Sequence, residues 1–454
     1  MRLLHVSDLH LGRGLGDLSR EAEQRAVVAE MIAAAEEHQV ALTLVSGDVF
    51  DAYTPPAWAE DLFFELLDGL AGGGRRAVAV IAGNHDSGLR VAAADPLARR
   101  LGILLAGDAG EPIRGHEAGS NEVRVVPLAP QVARIEVPGA GAPIVAGLFP
   151  FLSEGKVARL LDEEGRAPFT TRYADVSRYT EHLARELAAR AAHRDPKAVS
   201  VLALHQFVAG AAPSDSERRL RLAALADLDA AMIPAGLDYV ALGHIHRPQV
   251  VEGSPSLALY AGSPMAYSFS EAGQKKRAVL VDVEPGRAAR VRDIPLLGGR
   301  PLEVWSVESL DEARARAEKV SPASRSPIVE LRIDLGRALL PSDGEVLFNL
   351  PGVTVLTVRD LHAETPRGPS SLGSIGVEEL EPAREDLSVE RLFRDLFVKK
   401  HDAEPDEETM RELTSALLEL GRDVEPAPAV EVSPEETEFS PLPPSVAPTR
   451  EVPE

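Results

Sequence analysis

The chain is predicted to have a layered α/β fold, with a small α+β domain and helices toward its C-terminus. Between Arg2 and about Leu297, short apolar runs rich in β-branched residues alternate with longer segments whose apolar residues recur at helical spacing. This alternation is typical of sheets that are covered by helices. A cluster containing Asp, Asn or His directly follows each of five such runs. We therefore expect a main domain over residues 1–297, with these clusters gathered at the carboxyl ends of its strands.

Individual elements of the main domain can be placed from the sequence. The helix after Pro55-Pro56 has the clearest pattern, because proline suits the first helical turn and Gly72-Gly73-Gly74 ends the apolar periodicity. Residues 120–150 contain short Val-rich segments separated by Pro and Gly, which predicts further strands and a second sheet. The strands before the polar clusters are predicted at residues 2–7, 41–46, 77–82, 199–204 and 238–242.

The sequence beyond the main domain predicts three further parts. Residues 300–366 have the order strand, helix, strand, strand, with Ser309 and Glu312 as a capping box, and they predict a small separate α+β domain. Two amphipathic helices are predicted within residues 380–423, and such short helices are expected to pack on another surface. Residues 424–454 are rich in Pro and Glu, so we expect a disordered acidic tail.

Composition narrows the kinds of site that the chain can carry. Its 454 residues include no cysteine, which excludes disulfides, thiolate zinc sites, iron–sulfur clusters and cysteine nucleophiles. Any metal site must therefore use carboxylate, amide and imidazole donors. No apolar run approaches the roughly 20 residues that span a bilayer, and the chain reaches Asp8 and His10 without an apolar signal segment. We expect a cytoplasmic protein without a membrane segment.

The net charge of −23 is unevenly distributed along the chain. Residues 401–454 hold 15 Asp or Glu against 3 Arg, and the other 400 residues carry a net charge of −11. An acidic body weakens autonomous tight binding to DNA, although metal ions can neutralise phosphate locally and a partner protein can supply a basic track. Nucleic acid therefore stays open as a substrate.

The five polar clusters supply the donors for a pair of divalent cations. Asp8 and His10 are two residues apart, so in an extended segment both can face one side and hold one cation. The two carboxylate oxygens of Asp48 can bridge two cations about 3.5–4 Å apart, as in two-metal phosphate enzymes. Each cluster alone is a weak signal, but their order indicates a two-metal phosphoesterase. The seven candidate ligands are Asp8, His10, Asp48, Asn84, His205, His244 and His246.

The clusters resemble the pattern of the calcineurin-like metallophosphoesterases, which is D-x-H, G-D, G-N-H-[DE], H and G-H-x-H. Every ligand position of that pattern is filled. The resemblance implies a layered β-sheet sandwich flanked by helices. It also implies two ligand sets that share one carboxylate, with the first ion bound by Asp8, His10, Asp48 and His246, and the second by Asp48, Asn84, His205 and His244.

Within that superfamily the sequence is similar to the SbcD family, the nuclease subunits of a bacterial double-strand-break processing complex whose partner is the SMC-like ATPase SbcC. The similarity covers residues 1–297 well and residues 300–420 loosely. Five stretches carry it, namely residues 7–12 (SDLHLG), 19–23 (SREAE), 47–51 (GDVFD), 82–87 (AGNHDS) and 261–264 (AGSP).

The resemblance implies a manganese-dependent DNA nuclease, with magnesium as the alternative metal. Such a subunit acts as an exonuclease and as a structure-specific endonuclease on hairpins, in DNA repair, recombination and replication. In the family the small domain caps the active site and the C-terminal helices bind the ATPase coiled coil, which assigns residues 300–366 and 380–423 to these roles. An assembly of two nuclease and two ATPase subunits is implied, with the nuclease subunits as a homodimer.

Two further residues are predicted to take part in catalysis. His85 is next to a ligand but is not itself assigned to a metal, and we predict that it stabilises the pentavalent phosphate and donates a proton to, or stabilises, the leaving 3′ oxygen. Asp51 is a candidate for orienting His85, because the phosphatase branch of the superfamily has an acid at that spacing. Capping of the next helix is the alternative role for Asp51. Asp86 is predicted to organise the turn.

Other residues near the motifs have two open interpretations each. Lys275-Lys276-Arg277 could contact phosphate or form a solvated strand edge. Four aromatic residues could stack on unpaired bases, although core packing is the favoured role, and these are Tyr53, Phe207, Tyr267 and Phe269.

Two other functions are alternatives to the nuclease. A stand-alone phosphodiesterase or phosphatase for small phosphoesters would use the same ligands, but such enzymes seldom need a capping domain and extra helices. The G-N-H-D form at residues 83–86 also differs from the G-N-H-E form common in protein phosphatases. A mainly structural subunit that tethers DNA ends is the other alternative, and the complete ligand set argues against a loss of catalysis.

Overall fold

The alternating pattern folds into two packed β-sheets in a computed structural model of the chain. The described residues lie in one unit, Met1–Pro369. The helices predicted within residues 380–423 and the tail predicted at 424–454 are outside the described residues. The structure describes residues 1–109, 111–116, 122–152, 195–212, 228–321 and 325–362, together with positions 185, 189 and 193.

The first sheet contains six strands, numbered in chain order: β1 (Arg2–Val6), β2 (Leu42–Ser46), β3 (Ala77–Ile81), β4 (Ile103–Ala106), β12 (Arg277–Asp282) and β13 (Arg290–Pro295). They lie in the order β13-β12-β1-β2-β3-β4. Strands β1 to β4 are parallel, and β12 runs antiparallel to both of its neighbours. The central strands β2 and β3 are buried throughout, as expected for strands covered on both faces.

The second sheet contains seven strands: β5 (Arg124–Ala129), β6 (Val132–Glu136), β7 (Ile144–Phe149), β8 (Val199–His205), β9 (Tyr239–Gly243), β10 (Gln249–Val250) and β11 (Ala258–Tyr260). Their order is β10-β11-β9-β8-β7-β6-β5. Strands β7, β8, β9 and β11 are parallel, whereas β5, β6 and β10 pair in antiparallel fashion. Strands β5 to β7 confirm the second sheet that the Val-rich segments of residues 120–150 predict.

The two sheets pack face to face, and helices cover the outer face of the first sheet. Leu44 of β2 shares one buried cluster with Ile144 of β7 and Val201 of β8. On the other face of the first sheet, α1 (Glu21–Glu37) and α2 (Ala57–Ala71) bury their apolar sides. The predicted layered α/β sandwich flanked by helices is therefore confirmed.

Helix α2 begins and ends where the sequence predicts. Pro56 precedes the helix in an extended conformation, and Gly72 ends it with a left-handed φ of 55°. The Gly72 N–H donates to the carbonyl of Asp68 at 2.9 Å, so a carbonyl of the last turn is satisfied.

Between β3 and β4 lie two one-turn helices, α3 (Gly88–Val91) and α4 (Asp95–Ala98). None of the described helices is both long enough and apolar enough to cross a lipid bilayer.

Residues beyond the sandwich form a three-stranded parallel sheet with its own core. The prediction of strand, helix, strand, strand was wrong because it omitted one helix. That helix has only eight residues, begins with proline and buries little apolar surface, so it has almost no periodic pattern. The elements are β14 (Leu302–Val307), α5 (Leu310–Glu318), β15 (Ile328–Ile333), α6 (Pro341–Phe348) and β16 (Thr354–Asp360).

The start of α5 has the predicted cap in a modified form. Ser309 Oγ accepts the N–H of Glu312 at 3.1 Å, as the capping box requires. The return bond is shifted by one residue, because the Glu312 carboxylate accepts the N–H of Glu308 at 2.8 Å.

Two adjacent phenylalanines of α2 provide a matched test of this packing. Phe63 is 1% exposed and Phe64 is 48% exposed. Phe63→Ala should lower the free energy of unfolding by about 3–5 kcal/mol through lost burial and a residual cavity. Phe64→Ala should lower it by no more than about 1 kcal/mol. Urea unfolding followed by circular dichroism measures both, and equal losses would contradict the burial of Phe63 against the sheet.

Candidate active site

The polar clusters lie where the carboxyl ends of both sheets meet. The loop after β1 runs beside the loop after β2, because the N–H of Asp8 donates to Gly47 O and the N–H of His10 donates to Asp48 O, both at 3.0 Å. His205 is the last residue of β8 and pairs with Gly243, the last residue of β9. Five loops that are distant in sequence therefore share one edge of the sandwich.

Two glycines allow the sheets to approach closely at this edge. A Cβ on Gly243 would lie 1.7 Å from the carbonyl oxygen of Ser46 at the end of β2. A Cβ on Gly47 would lie 2.1 Å from His205 Nδ1, and Gly47 also has a left-handed φ of 87°. Any side chain at these positions would push β2 away from β8 and β9.

Several predicted ligands have strained backbone conformations. Positive φ angles occur at Asp8 (53°), His10 (42°), Asp48 (48°) and His244 (100°). Such conformations cost on the order of 1–3 kcal/mol each and concentrate at functional sites. The strain supports a functional role for this edge of the sandwich.

The first group of predicted ligands is compact and buried. His10 Nε2 lies 3.0 Å from His246 Nε2 and 3.6 Å from Asp48 Oδ2. Ligand atoms of Asp8, His10 and His246 all lie within 4.8 Å of one another. Asp8 Oδ2 is buried and has no hydrogen-bond partner among the described residues. A divalent cation fits this group, because it would satisfy the buried oxygen and separate two facing imidazole nitrogens.

The second group is centred on Asn84. Its Oδ1 atom lies 3.0 Å from His205 Nε2 and 2.8 Å from His244 Nδ1. Asp48 contacts this group with its other oxygen, since Oδ1 lies 3.5 Å from His205 Nε2. The structure therefore brings all seven predicted ligands together, and Asp48 lies between the two groups as a bridging carboxylate would.

His85 and Asp51 adjoin the first group. The His85 ring is 4.9 Å from the His10 ring, and its Nδ1 lies 3.0 Å from the backbone oxygen of Asp51. The Asp51 carboxylate instead lies 3.2 Å from both His10 Nδ1 and the guanidinium of Arg13. Asp51 therefore contacts His85 through its backbone, and Pro56 rather than Asp51 stands at the N-cap of α2.

Comparison with known proteins agrees with this geometry. The family model described as calcineurin-like phosphoesterase matches residues 1–248. The D subunit of the nuclease SbcCD from Bacillus subtilis is 36% identical over 325 residues, which are 69% of this chain and 76% of that protein. The chain belongs to the SbcD family of calcineurin-like phosphoesterases.

Other members of the SbcD family match over similar lengths. The corresponding SbcCD nuclease subunits of Escherichia coli K12 and Rhodobacter capsulatus are each 30% identical to this chain. The matches cover 74% of this chain in both cases, and 78% and 81% of the two relatives. A crystal structure of the Thermus thermophilus protein TT1561 matches 64% of this chain and 98% of its own, at 10% identity and a TM-score of 0.31, so the family assignment rests on the sequence matches.

Burial and charge set the protonation of this SbcD-family site in the absence of metal. Burial lowers the pKa of His10 to about 4, and burial together with His205 lowers the pKa of His244 to about 3. Burial disfavours the charged form of His205 and by itself would lower its pKa. The charge and hydrogen bond of Asp48 act in the opposite direction, and the pKa of His205 is raised to about 9. The same contact holds the pKa of Asp48 well below its usual value despite burial. Metal binding would displace the His205 proton.

The sequence prediction missed a buried network behind His246. His246 Nδ1 lies 3.0 Å from Glu271 Oε1, and Lys276 Nζ donates to Glu271 Oε2 at 2.6 Å. Both predicted roles for Lys276 were wrong, because it is 9% exposed and ion-paired instead of lying at a solvated edge or facing phosphate. Arg277 pairs with Asp293 at 2.6 Å on the neighbouring strand. The only signal of this network in the sequence is that Glu271 and Lys276 are five residues apart.

The four aromatic residues near the motifs differ in burial. Phe207 (4% exposed) and Tyr267 (2% exposed) are core residues, which confirms the favoured interpretation for them. Phe269 is half-buried in a turn. Tyr53 is 65% exposed, so base stacking stays open for Tyr53 and for the half-buried Phe269.

Asp86 organises its turn, as predicted, and also joins that turn to the loop of Asp48. Its carboxylate accepts the N–H groups of Gly83 at 2.8 Å, Val49 at 3.0 Å and Phe50 at 2.8 Å. Burial and the neighbouring charge of Asp48 raise the pKa of Asp86 to about 6. The loop that carries Asp48 is thereby fixed to the loop that carries Asn84.

Asp86→Ala should destabilise the metal-free chain by about 3 kcal/mol or more, because three buried N–H groups lose their acceptor at about 1–3 kcal/mol each. Urea unfolding in EDTA measures this loss without a contribution from metal. The exposed Asp17→Ala serves as control and should change stability by less than about 0.5 kcal/mol. A loss equal to that of the control would contradict the role of Asp86.

Proposed function

We propose that the chain is the nuclease subunit of a manganese-dependent complex that hydrolyses DNA phosphodiester bonds at ends and hairpins. The observation that best supports this proposal is that seven buried or half-buried donors converge into two groups around Asp48. The relatives in the SbcD family are named nucleases, and the proposal extends their activity to this chain. Cleavage would serve repair, recombination and replication of DNA in the cytoplasm.

The proposed metal ligands follow the two groups. When bound, two divalent ions would supply positive charge to the phosphate and activate water as the nucleophile. The carboxylate, amide and imidazole donors favour a hard or borderline cation, and manganese is proposed over magnesium because the resemblance to the SbcD family implies it. The first ion is assigned to Asp8, His10, Asp48 and His246, and the second to Asp48, Asn84, His205 and His244.

His85 is proposed as the residue that acts on the leaving group. The ligand Asn84 and its neighbour His85 are half-buried, whereas the other six proposed ligands are buried, so the substrate would approach from the side of His85. The Asp51 carbonyl accepts the Nδ1–H of His85, so a second proton, carried on Nε2 of the imidazolium, would be the one that stabilises the phosphate and passes to the 3′ oxygen. Asp51 would thus orient His85 through its backbone, and its carboxylate places a negative charge 3.2 Å from His10 Nδ1.

His85→Ala should lower cleavage of linear and hairpin DNA by about 10²–10⁴-fold in manganese, because the proton donor is lost. Manganese binding should stay unchanged, since His85 is not a proposed ligand. Gel assays with the purified chain measure the rates, with EDTA and magnesium-only reactions alongside. His38→Ala, half-exposed at the end of α1, is the matched control and should retain full activity.

The same assay separates the alternatives. Robust hydrolysis of a generic phosphodiester without DNA cleavage would favour a stand-alone phosphodiesterase, or a nuclease that requires its ATPase. DNA binding with neither activity, and repair that is insensitive to His85→Ala, would favour a structural subunit that tethers DNA ends. Undiminished DNA cleavage by His85→Ala would refute the proposed role of His85.

The small sheet of residues 300–366 is proposed to cap the active site. Its strand β14 packs against the turn Phe269–Glu271, which lies behind the metal ligand His246. The segment that leads to β14 is also anchored, because the Glu23 carboxylate accepts the N–H of Arg300. A sheet held at this position can restrict the DNA that reaches the metals.

We propose that residues 380–423 bind the coiled coil of an SMC-like ATPase, and that two such nuclease chains and two ATPases form the complex. The amphipathic pattern of this segment supports the first part. The homodimer is inferred from the resemblance to the SbcD family, and we assign its contact to α3 and α4, which carry the exposed Leu89 (80%) and Leu97 (73%).

Deletion of residues 380–423 should abolish copurification of the ATPase, while hydrolysis of a small phosphodiester survives. Light scattering of the isolated chain should give about twice 48.5 kDa before the deletion and twice the mass of the shortened chain after it, since the proposed self-association surface is on α3 and α4. Persistent copurification would refute the helix assignment, and a monomeric mass would refute the homodimer.

A further inference from the structure

The carboxylate of Glu271 lies against the back of His246. His246 directs Nε2 toward His10 at 3.0 Å and Nδ1 toward Glu271 Oε1 at 3.0 Å. The Glu271 side chain is completely buried. Because a carboxylate only accepts hydrogen bonds, Nδ1 must carry the proton, which leaves the lone pair of His246 on Nε2.

The second oxygen of Glu271 is held from the other side. Glu271 Oε2 accepts the hydroxyl of Ser263 at 3.0 Å and the ammonium of Lys276 at 2.6 Å. Lys276 also donates to Ser263 Oγ at 2.8 Å and to the backbone oxygen of His246 at 3.2 Å. Lys276 therefore fixes both the carboxylate and the chain segment that bears the imidazole.

We propose that Glu271, held by Lys276 and Ser263, is a positioning residue that fixes the Nδ1-protonated tautomer of His246 and so keeps Nε2 available to a divalent cation. A histidine ligand commonly depends on such an acceptor behind it, and loss of the acceptor weakens metal binding by about 10–100-fold. The inference rests on the proposed assignment of His246 as a ligand of the first ion.

The hydrogen-bond donors around residue 271 make Glu271→Gln a direct test of the His246 tautomer. Lys276 only donates, so the amide oxygen of the substituted side chain would turn toward Lys276 and its NH₂ group toward His246. His246 Nδ1 would then have to accept, and the proton would move to Nε2, the nitrogen that faces His10. A neutral side chain of nearly the same shape thus selects the tautomer that cannot bind metal.

Manganese titration of the full chain, with free Mn²⁺ followed by electron paramagnetic resonance, tests the proposal. Glu271→Gln should weaken binding of one of the two ions by about 10–100-fold and leave the other within about 3-fold of the original chain. Glu252→Gln, an exposed substitution of the same kind, should bind as the original chain does. A cooperative unfolding transition in EDTA verifies that each variant is folded without metal.

A second variant covers the case in which Glu271→Gln fails to fold. Glu271→Leu with Lys276→Met removes the buried ion pair as a unit, which is often neutral for stability. This variant also lacks an acceptor for His246 and should show the same weakened binding. Wild-type manganese affinity in either folded variant would overturn the proposal.

His246→Ala distinguishes positioning from a general structural effect. If Glu271 acts through His246, adding Glu271→Gln to His246→Ala should cause no further loss of affinity, whereas additive losses would overturn the proposal. If His246→Ala itself leaves manganese binding unchanged, the proposed ligand assignment fails. If His246→Ala weakens binding and the Glu271 variants do not, only the positioning role fails.

Discussion

The close approach of β2 to β8 and β9 at Ser46 is the constraint on which the rest of the site depends. The Ser46 carbonyl accepts the Nδ1–H of His205 at 2.8 Å, and the Ser46 hydroxyl donates to the carbonyl of Ala241 at 3.2 Å. Gly243 permits this contact because any Cβ there would overlap the Ser46 oxygen. Only at this separation can Asp48, two residues beyond Ser46, face donors from both sheets.

The site combines features that would be unfavourable without a function. Asp8 and Asp48 are buried side by side, and burial raises the pKa of Asp8. Left-handed backbone at both aspartates adds strain. The surrounding fold holds this arrangement in place through bonds such as those of Asp86 to three N–H groups, so the donors are already gathered and a cation need not assemble them.

The histidines of the two groups are supported by different chemical groups. In the first group, His10 has the Asp51 carboxylate behind it and His246 has the Glu271 carboxylate. In the second, His205 has the neutral carbonyl of Ser46. Carboxylates raise the basicity of a histidine ligand more than a carbonyl does, so the fold gives the two groups different electrostatic settings although their donor types are similar.

The sequence by itself determined the five strands that precede the polar clusters, the layered fold class and the seven candidate donors, because each donor lies within a few residues of an apolar strand and strand ends meet at one edge. It did not determine α6, which is too short to show a periodic pattern, or the direction of the Asp51 carboxylate, which turns to His10 and Arg13. Only the tertiary structure joined Glu271 to His246, since the two are 25 residues apart and neither lies in a repeating pattern. Local patterns encode elements and their ends, whereas contacts between loops depend on how the sheets pack.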